Sequence, residues 1–168
     1  IEMISISELT KKFNNQTNQT SKSVENIVLI LDVSGSTSQV IYDKKTILTR
    51  EIEILTNYIL SNIKNNYELY SFDSSATYHG KINVMEDENF VDLPNFNSGS
   101  ATQTHLALKL VQDNLTKFKP SRIVIFTDGQ TNSQEYELKP LVSNFKSNGI
   151  KLDIIAISCS NINMDTIT

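Results

Sequence analysis

Four short runs of hydrophobic residues, rich in β-branched side chains and bounded by turn or cap residues, dominate the pattern of the chain. These runs are Ile27–Leu31, Glu68–Phe72, Arg122–Thr127 and Leu152–Ser158. Their hydrophobicity is continuous rather than alternating, which is typical of strands buried on both faces in a parallel sheet covered by helices. We therefore expect Ile27–Leu31 and Ile123–Phe126 to be central strands that are nearly free of solvent.

A fifth segment, Thr77–Val84, has a different pattern. Tyr78, Ile82 and Val84 alternate with polar residues, as in an antiparallel strand with one face in water. Because few residues separate this segment from the strand before it, the sequence predicts a hairpin at this point.

Helical periodicity fills the intervals between the strands. Hydrophobic residues recur close to every 3.6 positions over 40–63, and further helices are expected over about 104–116 and from Pro140 to just before Gly149. The order β-α-β-β-α-β-α-β predicts an α/β fold. We expect a doubly wound, mostly parallel, Rossmann-like sheet with one antiparallel edge strand, in three layers.

Length and composition indicate one globular domain. The chain has 168 residues, of which 39% are hydrophobic, and a net charge of −4. The negative charge disfavours nucleic acid as a partner, and no apolar run approaches the ~20 residues that span a bilayer. We predict an N-terminal segment and polar linker over 1–23 and a folded domain over 24–168.

The compartment is left open by the sequence. Cys159 stands alone, so no internal disulfide can form, and its expected role is that of a small buried apolar residue. No signal peptide is visible, which favours an intracellular location. However, the chain begins at Ile1 rather than Met, so we expect a piece of a longer product that could have carried a targeting signal.

The residues after Ile27–Leu31 are candidate metal ligands. Asp32, Ser34 and Ser36 alternate in Asp-Val-Ser-Gly-Ser, so in an extended segment they project to one side and offer a carboxylate and two hydroxyls. Gly35 would permit the tight turn that gathers them. Helix capping by serine, together with an aspartate in a turn, explains the same residues about equally well.

Two further loops carry similar oxygen donors. Asp128-Gly129 follows Arg122–Thr127, and the small-residue loop 98–104 contains Thr102. Each has an ordinary explanation when it stands alone, namely a turn for Asp-Gly and N-capping by Thr104 for the loop.

Taken together, the three loops favour a metal site. Ligands of open α/β sheets bind outside the carboxyl ends of the strands, so we expect Asp32, Ser34, Ser36, Thr102 and Asp128 to converge there. Carboxylate and hydroxyl oxygens suit Mg²⁺, with Ca²⁺ or Mn²⁺ as alternatives, whereas the thiol and imidazole ligands of Zn²⁺ are missing from these motifs.

These motifs resemble the metal-ion-dependent adhesion site of the von Willebrand factor type A domain. The resemblance rests on Asp32-x-Ser34-x-Ser36, on Thr102 in Thr-Gln-Thr-His-Leu-Ala-Leu and on Phe-Thr-Asp128-Gly, and runs from about Val24 to the C-terminus. It implies that the hydroxyls bind the metal directly and the aspartates directly or through water. The open coordination position would then take a Glu or Asp from a protein partner.

The sequence departs from the family pattern in three places. Thr37 stands where an apolar residue is usual, and Ser100-Ala101 replaces the second Gly of the usual Gly-Gly-Thr. The family also continues with another strand and a C-terminal helix, which we expect to be missing or truncated at Thr168. Since that helix regulates affinity in some members of the family, either this part lies outside this chain or such regulation is missing.

Two other functions remain as alternatives to a metal-dependent binding module that is not an enzyme. The first is a metal-dependent hydrolase or phosphatase-like enzyme. Against it, Ser34 stands where haloacid-dehalogenase-like phosphatases have a second Asp, and phosphate-binding glycine motifs are missing. A Ser–His pair with His79 or His105 is conceivable, although we expect His79 on the wet face of its strand. The second alternative is a scaffold of the same fold with a vestigial metal site.

Overall fold

A mixed β-sheet forms the middle layer of the protein, whose computed structural model describes residues 23–41, 44–129 and 131–157. In these residues the strands are β1 (Asn26–Asp32), β2 (Asn66–Phe72), β3 (Ala76–Lys81), β4 (Asn83–Met85), β5 (Phe90–Asp92), β6 (Arg122–Thr127) and β7 (Lys151–Ala156). The main sheet has the order β3-β2-β1-β6-β7, while β4 and β5 pair separately. All pairings in the main sheet are parallel except that of β3 with β2. The predicted fold class is confirmed.

Strands β1 and β6 are the interior of the sheet, as predicted. Residues Ile27–Leu31 and Ile123–Phe126 are almost completely buried. Alternate residues of β1 serve opposite faces: Leu29 and Leu31 pack in one core and Val28 and Ile30 in the other. Both faces are apolar because each is covered, which is why the hydrophobic pattern is continuous.

Helices cover both faces of the sheet. They are α1 (Ile47–Ser61), α2 (Thr104–Asp113), the short α3 (Leu115–Phe118) and α4 (Glu135–Ser147). Helix α1 packs with the Leu29 core, whereas α2 and α4 pack with the Val28 core. A hydroxyl of Thr46 accepts a hydrogen bond from the Thr49 amide at 3.1 Å and caps α1, so this helix starts well after residue 40.

The antiparallel strand and hairpin expected at Thr77–Val84 are confirmed in β3, but the predicted end of the strand is wrong. Strand β3 ends at Lys81, and the next residue, Ile82, is buried in the core and still donates its amide to the Tyr67 carbonyl of β2 at 2.9 Å. The following β4 then pairs antiparallel with β5. Ile82 is buried and Val84 is partly buried, and both pack in the same core as Leu29, which accounts for the alternation in the sequence.

Two predicted helix starts are also wrong. Pro140 lies inside α4, which begins at Glu135, because the Glu137 carboxylate accepts the Gln134 amide at 2.7 Å and closes the first turn earlier. Thr104 does not cap α2, since the N-cap is Gln103 and the Thr104 hydroxyl pairs with that of Thr131 at 2.8 Å.

Several expectations fall on residues outside the described ranges. These are the segment 1–22, Cys159, Ser158 and the end of the chain, so the domain boundaries stay predictions. Within the described ranges, no helix is long and apolar enough to cross a membrane.

Candidate metal centre

Asp32 and Asp128 lie at the carboxyl ends of two neighbouring central strands. Strands β1 and β6 are parallel and aligned so that Leu31 is opposite Phe126. The two carboxylates follow at the same edge of the sheet, and both residues are buried. Parallel pairing is therefore what brings together side chains that lie 96 positions apart in the sequence.

Four of the five candidate ligands form a continuous chain of hydrogen bonds. The Ser34 amide donates to Asp32 Oδ1 at 2.8 Å, and the Ser34 and Ser36 hydroxyls are 3.1 Å apart. The Ser36 hydroxyl donates to Asp128 Oδ2 in a short contact. Asp32, Ser34, Ser36 and Asp128 thus present their oxygens within one small region.

Burial raises the pKa of the Asp32 carboxyl to about 6. Hydrogen bonds from Ser34 and from the Thr127 hydroxyl, which donates to Asp32 Oδ2 at 2.8 Å, oppose this shift, and the nearby charge of Asp128 adds to it. The ionised carboxylate is therefore less stable here than in water, and nearby positive charge would offset that cost. A cation at this edge would provide that charge.

The loop 98–103 packs directly against the loop that carries the two serines. The Gly35 amide donates to the Ser100 carbonyl at 2.6 Å, and the Gly99 amide donates to the Val33 carbonyl at 2.6 Å. A Cβ atom on Gly35 would lie 3.2 Å from the carbonyl oxygens of Gly99 and Ser100. Gly35 therefore allows the two loops to approach each other. Its φ is not positive, so the need for glycine comes from space and not from backbone conformation.

Thr102 is fixed by Asn132 from the loop after β6. The Thr102 amide donates to Asn132 Oδ1 and the Asn132 amide donates to the Thr102 carbonyl, both at 2.7 Å. The Thr131 hydroxyl also donates to that carbonyl at 3.2 Å. Thr102 is buried, and its loop contacts the loop of Ser34 and Ser36 through the backbone bonds of Gly99 and Ser100. Sequence reasoning missed Asn132, since an Asn in a polar loop has no distinguishing pattern.

Asp73, at the end of β2, is a second residue that sequence reasoning missed. Its carbonyl accepts the Gln103 amide at 3.0 Å, and a Cβ atom on Gly99 would lie 1.9 Å from its Oδ2 atom. The loop 98–103 is therefore enclosed by loops from β1, β2 and β6. The position of Asp73 after a predicted parallel strand was an available signal.

The donor set fits a hard divalent cation. Asp32 and Asp128 supply carboxylates, and Ser34, Ser36 and Thr102 supply hydroxyls, which are the oxygen ligands that Mg²⁺, Ca²⁺ and Mn²⁺ prefer. In the described part of the chain, no three His, Cys, Asp or Glu side chains form a metal-binding group. A site here would thus combine two carboxylates with hydroxyls.

Both histidines contact serines, but neither arrangement matches a hydrolytic triad. His105 Nδ1 is 2.8 Å from Ser133 Oγ and 3.5 Å from Glu137 Oε2, so serine and carboxylate share one ring nitrogen. A triad uses one nitrogen for each. His79 Nε2 is 2.7 Å from Ser71 Oγ, and its ring packs edge-on against Phe96.

His79 therefore does not lie on a wet face as expected. It is half-buried, and burial lowers its pKa. The loop containing Phe96 covers this side of β3, which the pattern of the strand itself does not reveal.

A family model for the von Willebrand factor type A domain matches residues 27–130, more than half of the chain. The chain belongs to this family. Von Willebrand factor type A (vWA) domains are generally interaction modules rather than enzymes. No curated protein matches the sequence.

Solved structures share the vWA fold. Manganese-loaded TRAP protein of Plasmodium vivax is similar with a TM-score of 0.60 and 19% identity, over 86% of this chain and 61% of that one. The chain thus spans about three-fifths of the TRAP structure. The SpRpn10 VWA domain has a TM-score of 0.57 and 19% identity, over 87% and 83%.

A bacterial structure extends the comparison. An aerotolerance-related membrane protein of Bacteroides fragilis has a TM-score of 0.57 and 17% identity, over 80% of this chain and 68% of that one. At these identities the likeness shows the fold alone.

Proposed function

We propose that this vWA domain is a protein-binding module that holds one divalent cation, Mg²⁺ first, and uses it to bind a carboxylate of its partner. The observation that carries the proposal is the hydrogen-bonded chain from Asp32 through Ser34 and Ser36 to Asp128 at one sheet edge. The manganese-loaded TRAP structure supports divalent-cation binding in a related fold.

The roles of the residues follow from their charges and positions. Ser34, Ser36 and Thr102 would supply neutral hydroxyl ligands, while Asp32 and Asp128 would hold the cation directly or through water. Since only two carboxylates are present among these five residues, the ion keeps the ability to attract a further carboxylate. A Glu or Asp of a partner would supply it.

Burial of Asp32 supports the placement of a cation at this edge. Two aspartates lie close together there, and the raised pKa of Asp32 records the cost of ionising it without a cation. Binding Mg²⁺ would convert this unfavourable electrostatics into an attraction.

The test is metal titration of the wild-type chain and three variants by calorimetry, with Mg²⁺ and Mn²⁺ as probes. Asp128→Ala should abolish saturable binding, and Ser34→Ala should weaken it less, because a neutral ligand is lost. Asp92→Ala, an exposed strand residue, is the matched control and should bind like the wild type. Circular dichroism melting should show that all variants remain folded, since removing one of two like charges costs the metal-free fold little.

The partner step is tested separately. Proteins retained in Mg²⁺ and released by EDTA should lose binding when one exposed Glu or Asp of theirs is changed to Gln or Asn. If the chain binds metal but its partners do not depend on such a residue, the cation site stands and the proposed bond to a partner carboxylate is wrong. Failure of the wild-type chain to bind any divalent cation would favour a scaffold with a vestigial site instead.

A further inference from the structure

The outward side of the hairpin β4–β5 is a continuous exposed surface. Cross-strand pairing places Asn83 opposite Asp92, Val84 opposite Val91 and Met85 opposite Phe90. Since side chains alternate across a strand, Val84 and Val91 pack on the core while the other two pairs face outward. We call the exposed set the hairpin face, comprising Asn83, Met85, Glu86, Asp87, Glu88, Asn89, Phe90 and Asp92.

Two large apolar side chains are neighbours on the hairpin face. Met85 is 47% exposed and Phe90 is 49% exposed, and they are directly opposite each other in the ladder. Single exposed hydrophobic residues are ordinary on protein surfaces. An adjacent pair on a sheet face, however, forms a patch that gains free energy when a partner covers it.

Four carboxylates surround this apolar pair. Glu86, Asp87 and Glu88 form a tight turn that ends at Asn89, whose φ of 48° is left-handed, and Asp92 lies next to Phe90 in the outward row. The sequence contains no Lys or Arg between Lys81 and Lys109. Within the residues that the structure describes, none of these four carboxylates has an ion pair, so the hairpin face carries net negative charge.

Tyr136 provides an internal comparison. It is 75% exposed and is also flanked by two acidic residues. There, however, Glu135 pairs with Lys139, and Glu137 accepts the Gln134 amide at 2.7 Å. The acids beside Tyr136 are used within the fold, whereas those of the hairpin face are directed only to the exterior.

The hairpin face is also separate from the metal centre. The Ile82 amide bonds to the carbonyl of Tyr67, near the start of β2, so β4 begins at the end of the sheet opposite to Asp32. A partner on this surface would therefore bind without contacting the cation.

We propose that the hairpin face docks a segment of a partner protein in which Lys or Arg residues flank a large apolar side chain. The apolar side chain covers Met85 and Phe90, and the basic residues neutralise the four carboxylates. Charge complementarity of this kind orients the segment and increases the association rate. This interaction goes beyond the metal-dependent function and does not depend on it.

The experiment uses a synthetic peptide with a central Leu-Phe pair flanked on each side by lysines, and the 168-residue chain. Control peptides replace either the lysines by glutamates or the Leu-Phe pair by serines. Affinity is measured by fluorescence anisotropy at physiological salt, in Mg²⁺ and in EDTA. The first variant removes the apolar pair and carries Met85→Ser and Phe90→Ser. The second removes three charges with little change of shape and carries Glu86→Gln, Asp87→Asn and Glu88→Gln.

The wild type should bind the basic apolar peptide and neither control peptide, equally in Mg²⁺ and EDTA. Each hairpin variant should lose roughly tenfold or more in affinity, as expected for an anchor or a charge set at the centre of an interface. The matched control, Glu135→Gln with Tyr136→Ser, should bind like the wild type.

Four results would overturn the proposal. The first two are that the wild type does not bind the basic apolar peptide, or that both hairpin variants bind it as tightly as the wild type does. The third is that EDTA abolishes binding. The fourth is that sedimentation shows a wild-type dimer that Phe90→Ser dissociates. The last result would assign the hairpin face to a second copy of this chain.

Discussion

The loops around the candidate metal centre pack closely at Gly99. Its amide bonds to the Val33 carbonyl at 2.6 Å, while the Asp73 carboxylate occupies the space that a Cβ atom would need. A side chain here would displace the Asp73 carboxylate, so glycine is favoured by space and not by backbone conformation, since its φ is not in the left-handed region. The same loop carries Thr102, so its placement affects the proposed cation site.

Gly99→Ala should destabilise the protein by about 1–3 kcal/mol, as expected for overpacking, and weaken Mg²⁺ binding. The new Cβ would lie 1.9 Å from Asp73 Oδ2, so either the carboxylate or the loop must move. Urea unfolding gives the stability change, and calorimetry gives the change in Mg²⁺ affinity.

A double-mutant cycle with Asp73→Ala isolates this contact. Removing the carboxylate should recover part of the loss caused by Gly99→Ala, because the clash is then relieved. Strictly additive effects of the two substitutions would show that Asp73 does not determine the need for glycine.

Helix α4 illustrates how an element boundary is set by side chains rather than by hydrophobic periodicity. Glu137 accepts the amide of the N-cap residue Gln134 and lies 3.5 Å from His105 Nδ1 in α2. His105 in turn contacts Ser133, just before α4. These bonds fasten the start of α4 to the start of α2, next to the loop that holds Asn132.

Glu137→Ala should lower the free energy of unfolding by about 1 kcal/mol, because the Gln134 amide loses its partner. Glu135→Ala is the control in the same turn. Its exposed ion pair with Lys139 is worth at most about 0.5 kcal/mol. Urea unfolding of both variants provides the comparison. A larger effect of Glu135→Ala would contradict the assignment of Glu137 as the residue that closes the first turn.

For the molecule as a whole, the strands form the core and the loops at their carboxyl ends carry the candidate ligands. The buried strands β1 and β6 hold Asp32 and Asp128 at fixed positions, so a cation would bind a prearranged site. Such an ion would stabilise the folded state, because the unfolded chain does not bring these residues together.

The melting temperature of the wild-type chain should therefore be higher in Mg²⁺ than in EDTA. At a free ion concentration one hundred times Kd, the added stability is about 2.7 kcal/mol. The Asp128→Ala variant should show the same melting temperature in both solutions. An unchanged wild-type melting temperature at millimolar Mg²⁺ would argue that the site does not hold the ion.

The sequence by itself determined the fold class and which oxygen donors follow which strands. Continuous hydrophobicity at Ile27–Leu31 and Ile123–Phe126 reports burial on both faces, and strand ends place Asp32 and Asp128 at one edge once the sheet is parallel. These are local properties, because they depend on neighbours along the chain and on one rule of topology.

Tertiary structure alone decided how the loops are held and where the separate hairpin lies. Asn132 fixes Thr102 across 30 positions, and Asp73 restricts Gly99 across 26. Contacts of this kind leave no periodic trace, because they depend on the path of loops whose residues are individually ordinary polar or small residues. The same holds for Met85 and Phe90, which become neighbours only through the antiparallel pairing of β4 with β5.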